Sequence, residues 1–158
     1  KQRPEEKGIA LLIDDFAQVE HLVVVGAAAR RLAASLWPGP LTLVLPLQRP
    51  GLVPATLSGG RETLAVRLPD HAVPRALARE LGPLAVSSAN RSGQPDALTA
   101  QELLEALGPS LSLVLDDGPV RGGVPSSVVA VGSDGRLSIL REGAVSRAAI
   151  LALLTAYA

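Results

Sequence analysis

The segment Pro83-Leu84-Ala85-Val86-Ser87-Ser88-Ala89-Asn90-Arg91-Ser92-Gly93 changes character halfway along. An apolar run short enough for a buried strand ends in small polar residues. In an open α/β sheet, the space just past a strand's end is where ligands sit. Hydroxyls and an amide can hydrogen-bond a polar ligand there without burying a charge. Ser88 and Asn90 alternate, so they project to the same side if the backbone stays extended. Asn90 fits equally well as a turn residue before Ser92-Gly93. Ser88 lacks the Gly-x-Ser-x-Gly surroundings of a hydrolase nucleophile.

Cations supply a second set of candidates. Lys1-Gln2-Arg3-Pro4, with Lys7 nearby, precedes an apolar run. Arg offers a planar fork matched to phosphate, and Lys a mobile point charge; the bland alternative is a solvated terminus. Arg67 lies inside Ala65-Val66-Arg67-Leu68-Pro69, among apolar neighbours. An Arg in such a strand either forms a structural ion pair or binds a carboxylate or phosphate from the strand end. Gly118 to Ser127 places glycines beside Ser126 and Ser127, which suits backbone approach to an anion as well as it suits a plain loop. Arg141 ends the last apolar run and, taken alone, is an ordinary strand-end charge. His71 has no Cys, His or Asp cluster around it and reads as a surface or helix-start histidine. Walker-type and Gly-x-Gly-x-x-Gly nucleotide loops are both absent.

The composition limits the function classes. Fifteen basic and fifteen acidic residues leave no net charge, so no global field draws in nucleic acid or membrane. The chain has no cysteine and only two histidines, His21 and His71, which excludes disulfides and Cys- or His-rich metal sites. With 47% apolar residues and Phe16, Trp37 and Tyr157 as its aromatics, its core must be aliphatic. No run approaches the ~20 apolar residues of a membrane span, and no signal peptide is visible, so a cytoplasmic protein is expected. The chain contains no Met and begins at Lys1. An amino-terminal part is therefore expected to be missing.

These residues need elements to position them. Strands are expected over Gly8–Ile13, Leu41–Pro46 and Thr63–Leu68, at Leu84, and over Leu111–Leu115, Ser127–Val131 and Leu137–Leu140. Helices are expected over Ala27–Leu36, Val73–Leu81, from Thr99 to Leu107, and from Ser146 to Tyr157, with a Thr99/Glu102 capping box. Pro50–Gly60 reads as a loop, and Val23-Val24-Val25 is ambiguous between strand and helix. Gly132-Ser133-Asp134-Gly135 signals a hairpin. The expected fold is a single α/β domain over residues 1–158, a twisted mixed parallel and antiparallel sheet with flanking helices.

The motifs also occur in a telling order. Lys-x-Arg-Pro, Trp37-Pro38-Gly39-Pro40-Leu41-Thr42, Val-Arg-Leu-Pro-Asp-His, Ser-Ala-Asn-x-Ser-Gly, Ser126-Ser127-Val128-Val129 and Arg-Glu-Gly follow one another from Lys1 to about Gly143. This order resembles the YrdC family, the threonylcarbamoyl-AMP synthases. The resemblance implies a YrdC-like fold and an enzyme that joins L-threonine, bicarbonate and ATP into threonylcarbamoyl-adenylate, releasing pyrophosphate. A separate complex would then pass the group to adenosine 37 of transfer RNA. By position, Lys1, Arg3, Ser88, Asn90, Ser126 and Arg141 would contact ATP, and Arg67 would bind the threonine carboxylate. Mg²⁺ would bridge the phosphates, and no covalent nucleophile is required. The family's Pro-Thr-x-Thr-x-Tyr-Gly-Leu segment, which helps form the threonine pocket, has no counterpart here. Pro125 stands where a Glu is common, and Leu11 or Leu12 where many relatives have His. Two other readings fit the same residues: a non-catalytic RNA-binding module, and the carbamoyl-adenylate-forming domain of a hydrogenase maturation protein.

Overall fold

The computed structural model describes residues 8–120 and 123–155. These fall into two compact units, one formed by residues 8–86 and 125–155 and the other by residues 87–120 with 123–124.

The larger unit holds a mixed sheet of six strands. Its elements, in chain order, begin with β1 (Ala10–Leu12), α1 (Ala27–Leu36), β2 (Leu41–Pro46), a one-turn helix α2 (Ala55–Ser58) and β3 (Thr63–Arg67). Then come α3 (Ala72–Leu81) and β4 (Leu84–Val86). The chain returns to this unit with β5 (Ser127–Val131), β6 (Leu137–Arg141) and α5 (Arg147–Thr155). The strand order is β4-β1-β3-β2-β5-β6. β1 runs parallel to β3, and β2 parallel to β5; the β1–β4, β2–β3 and β5–β6 pairs are antiparallel. The expected mixed sheet with flanking helices is what forms.

Aliphatic side chains build the core, as the shortage of aromatics requires. Leu41, Leu43 and Leu45 of β2 are fully buried, along with Leu64 and Val66 of β3, Val129 of β5 and Ile13 after β1. Each such side chain stabilises the fold by about 2 kcal/mol relative to exposure. Leu32 of α1 and Ile150 of α5 close over the sheet. Helix α1 begins where Gly26 ends an extended stretch and stops at Trp37, just before Pro38. Trp37 packs against Phe16, ring centroids 5.2 Å apart, and donates its indole N–H to the Leu41 carbonyl at 2.7 Å. These contacts fix the Pro38-Gly39-Pro40 entry into β2.

Several expectations change. Leu84–Val86 is a strand but lies at the sheet edge, with Ala85 exposed, so it is not the buried strand expected. Pro50–Gly60 is not all loop: Ala55–Ser58 makes one helical turn, closed by Gly59 at φ 65°. Val23 forms only an isolated bridge to Leu47, so the Val23–Val25 run is neither strand nor helix.

In the smaller unit, Leu111–Leu115 forms no strand. This unit contains no strand among its described residues, so it offers the segment no ladder to join, and Leu113 is 75% exposed. Helix α4 (Ala100–Leu107) starts at Thr99, whose hydroxyl accepts the Glu102 N–H. The return bond differs from a capping box, because the Glu102 carboxylate accepts from Leu98 N–H at 2.7 Å rather than from Thr99.

Candidate functional site

Sheet topology collects three of the expected site residues at one end of the larger unit. β3 and β6 end there, at Arg67 and Arg141, while β2 and β5 start there. Leu41 pairs with Ser127 and Val128 with Arg141, so the turn before β2, the start of β5 and the end of β6 are neighbours.

Arg67 is half-buried, and its Nε donates to the Gly39 carbonyl at 3.0 Å. The backbone around it is pinned from both sides. Ile13 N–H donates to the Arg67 carbonyl at 3.0 Å, and Gly39 N–H to the Leu68 carbonyl at 2.9 Å. Gly39 has no room for a side chain, because a Cβ there would collide with the Leu36 carbonyl.

Arg141 is held by one peptide. Its Nε and Nη2 both donate to the Ser126 carbonyl, at 3.0 and 2.7 Å, and Nη2 also reaches Ser126 Oγ at 3.2 Å. Ser126 Oγ in turn shares a buried hydrogen bond of 2.9 Å with Thr42 Oγ1 of β2. Gly143 packs directly on the Ser126 peptide: a Cβ there would collide with the Pro125 carbonyl and lie 2.7 Å from Ser126 O.

The electrostatics of this end are unusual. Burial and then the nearby positive charge of Arg141 push the Arg67 guanidinium below its usual pKa. Two like charges thus share one end of the sheet. The ion pairs among the described residues are Arg30–Glu20, Arg75–Asp14, Arg79–Asp14 and Arg136–Asp134, and none involves Arg67 or Arg141. Carbonyl oxygens orient both guanidiniums without neutralising them. Such a pair is complementary to an anion, and the fork geometry suits a carboxylate or a phosphate. The structural ion pair considered for Arg67 is absent among the described residues.

The neighbouring Asp14 is already engaged. It follows β1, and its two oxygens accept from Arg75 Nε at 2.8 Å and Arg79 Nε at 2.9 Å. Burial works against its ionisation, but the hydrogen bonds and charges of Arg79 and Arg75 prevail and lower its pKa. Among the described residues, no group of three or more His, Cys, Asp or Glu could hold a metal ion. The side chains described at this end are guanidiniums and hydrogen-bonded hydroxyls, whereas Mg²⁺ takes carboxylate and phosphate oxygens. These residues do not fit a Mg²⁺ held by the protein.

Ser88 and Asn90 belong to the smaller unit. Ser88 Oγ donates to Asn90 Oδ1 at 2.8 Å, so the two side chains do lie together. Asn90 Nδ2 donates to the Gln94 carbonyl, bracing the turn in which Gln94 N–H meets the Arg91 carbonyl at 3.0 Å. Asn90 therefore also fills the turn role considered for it. An open hollow of about 510 Å³ lies beside it, lined by Arg91, Gln94, Pro95, Glu102 and Ala106 among others. Lys1 and Arg3 lie outside the described residues, as do Arg121 and Gly122 of the glycine-serine loop. His71 caps α3, its Nδ1 accepting from Val73 N–H at 3.3 Å, as its helix-start position suggested.

The sequence reading missed two features of the cationic end. Thr42 is a lone hydroxyl in the otherwise apolar run Leu41-Thr42-Leu43-Val44-Leu45, and that was the available signal. The Gly39 carbonyl left none. Ser127, beside the candidate Ser126, is a structural residue: its buried Oγ accepts from Gly143 and Val145 N–H at 2.9 and 3.0 Å and donates to the Val145 carbonyl.

Comparison with known proteins matches residues 1–143 to the Sua5/YciO/YrdC family, whose model carries the description "Telomere recombination". The chain belongs to this family. It is 41% identical over 133 residues to a threonylcarbamoyl-AMP synthase of Idiomarina loihiensis, covering 82% of this chain and 70% of that protein. It is 37% identical over 158 residues to a threonylcarbamoyl-AMP synthase of Bacillus subtilis, covering 98% of this chain and 44% of that one. The crystal structure of P. abyssi Sua5 complexed with L-threonine superposes with a TM-score of 0.88 at 35% identity, over 98% of this chain and 45% of that one. The chain thus spans less than half the length of the Bacillus and P. abyssi relatives. E. coli YciO, at a TM-score of 0.77 and 25% identity over 90% of this chain and 69% of that one, shares the YrdC-like fold.

Proposed function

We propose that the protein is an L-threonylcarbamoyladenylate synthase. The observation that carries this reading is the pair of unneutralised guanidiniums, Arg67 and Arg141, fixed by carbonyls at one end of the sheet. It is supported by a similar protein whose structure holds L-threonine and by relatives named for this activity.

In this reading Arg67 takes the threonine carboxylate. Arg141 and Ser126 face the ATP phosphates, joined by Lys1 and Arg3, while Ser88 and Asn90 hold the nucleotide. The threonine amine adds to bicarbonate and water leaves, giving a carbamate. A carbamate oxygen then attacks the α-phosphorus of ATP, the α–β phosphoanhydride bond breaks, and pyrophosphate departs. ATP and bicarbonate are anions and threonine carries a carboxylate, so like-charge repulsion is a principal barrier. Fixed cations lower it without reorganising during the reaction. The product would pass to a complex that modifies adenosine 37 of transfer RNA, a role that a cytoplasmic location would suit. No helix among the described residues is long and apolar enough to cross a membrane.

The test is pyrophosphate release by the full-length protein. Release from ATP should require both L-threonine and bicarbonate, with threonylcarbamoyl-AMP detected by mass spectrometry. Release indifferent to threonine would sink the reading. Salt-dependent RNA binding without nucleotide binding would favour the non-catalytic RNA module instead.

A further inference from the structure

Thr42 departs from the strand around it. Its neighbours Leu41 and Leu43 are fully buried and apolar, yet Thr42, only 6% exposed, brings a hydroxyl into the same strand. A buried hydroxyl is costly unless hydrogen-bonded. It shares a hydrogen bond of 2.9 Å with Ser126 Oγ, itself the hydroxyl that Arg141 Nη2 reaches at 3.2 Å. The link holds whichever hydroxyl donates. Ser126 Oγ has two lone pairs and one proton, enough for both Arg141 and Thr42.

The same stretch of chain also holds the other guanidinium, because the Gly39 carbonyl accepts from Arg67 Nε. Both tethers use a backbone carbonyl, but Arg141 has a side-chain contact as well. Arg67 is held by a backbone carbonyl that no side-chain change at Thr42 removes. Arg141 is held by the Ser126 peptide and by a hydroxyl whose rotamer Thr42 fixes. A side-chain change can therefore loosen one cation and leave the other in place.

We propose that Thr42 is a positioning residue for the phosphate-facing side of the site, acting through Ser126 Oγ on the Arg141 guanidinium. This rests on the synthase reading for its choice of ATP as the ligand of Arg141. Thr42 touches no substrate. Its hydroxyl stops Ser126 Oγ from turning away and so keeps Arg141 Nη2 in one of the orientations the Ser126 carbonyl allows.

The test compares Thr42→Val, which keeps the shape and removes the hydroxyl, with Thr42→Ser, which keeps the hydroxyl, in the full-length protein. Thr42→Val should raise KM for ATP about fivefold, the value of one net hydrogen bond. KM for threonine should change less than about twofold, since Arg67 keeps an independent tether. Thr42→Ser should restore the ATP value. A merely structural hydroxyl would lower the melting temperature and move both KM values together, and that result overturns the proposal, as does an unchanged KM for ATP. If Thr42→Val folds poorly, Ser126→Ala supplies the second route. It should weaken ATP by a similar factor, and adding Thr42→Ala, which removes the hydroxyl, should weaken ATP no further; a further loss of ATP binding overturns the proposal. Calorimetric titration with ATP alone separates this inference from the functional one. A wild-type protein that binds ATP about fivefold more tightly than Thr42→Val, yet makes no threonylcarbamoyl-AMP, supports the positioning role and overturns the synthase reading. Equal ATP affinities overturn the positioning role whatever the turnover.

Discussion

Replacing Arg67 by Met separates a functional cation from a structural one. Met keeps most of the aliphatic stem and removes the charge. The fold would lose one charge-assisted bond to the Gly39 carbonyl, a loss of about 1.5–3 kcal/mol. Against this, the guanidinium is partly desolvated and lies close to Arg141, and both effects disfavour its charge. Desolvation of an ion lacking a counter-charge costs on the order of several kcal/mol when complete, and less for a half-buried group. The two terms nearly cancel, so the net change in stability should stay within about 1 kcal/mol of zero, roughly 5 °C or less in melting temperature for a chain of this size. Activity should respond very differently. A carboxylate that loses a charge-assisted contact worth about 3 kcal/mol binds roughly 150-fold more weakly. KM for threonine should rise on that scale, while the affinity for ATP in the absence of threonine changes far less. Thermal denaturation together with steady-state kinetics on the full-length protein reads both quantities. The reasoning is refuted if Arg67→Met loses more than about 2 kcal/mol of stability while the folded fraction keeps its threonine KM, because such an Arg serves the fold through its carbonyl contact and not a ligand.

Other outcomes follow from the same contacts. Gly143→Ala should displace the Ser126 peptide that holds Arg141, reducing ATP binding and costing about 1–3 kcal/mol by overpacking; unchanged ATP titration would contradict the contact. Ser127→Ala removes a hydroxyl with three buried or half-buried backbone partners and should destabilise by about 1–3 kcal/mol in urea unfolding. The lowered pKa of Asp14 stabilises the fold fully above the unfolded carboxyl value of about 3.9, and this contribution disappears as pH falls through the lower folded value. Asp14→Asn should accordingly flatten the acid limb of the stability–pH curve, and an unaltered limb would show that the Arg75 and Arg79 contacts do not matter energetically.

Most of the framework was legible in the sequence where local preference and tertiary need agree. Ala27–Leu36 combines strong helix formers with a proline stop and forms the helix as expected. Leu41–Pro46 and Ser127–Val131 are apolar runs between turn residues and form central strands. The failures come from information that local pattern does not hold. Leu111–Leu115 alternates like a strand, but a strand needs a neighbour, and its own unit contains no strand among the described residues. The edge position of Leu84–Val86 follows from strand order, which the run itself does not encode. At the site, Arg67 stood out as a charge in an apolar strand, and its proximity to Arg141 was implied only through the family resemblance. Its tether on Gly39 is a backbone carbonyl, which leaves no trace in residue type. Thr42 did leave one, a hydroxyl among leucines, whose meaning needed Ser126 beside it.

The account rests on Arg67 and Arg141 being oriented toward anionic reactants. A crystal structure of the full-length protein with L-threonine and a non-hydrolysable ATP analogue measures this directly. The threonine carboxylate is predicted within hydrogen-bonding distance of Arg67 and the analogue's phosphates within hydrogen-bonding distance of Arg141. Both ligands bound elsewhere, with the two guanidiniums left in solvent, would contradict it.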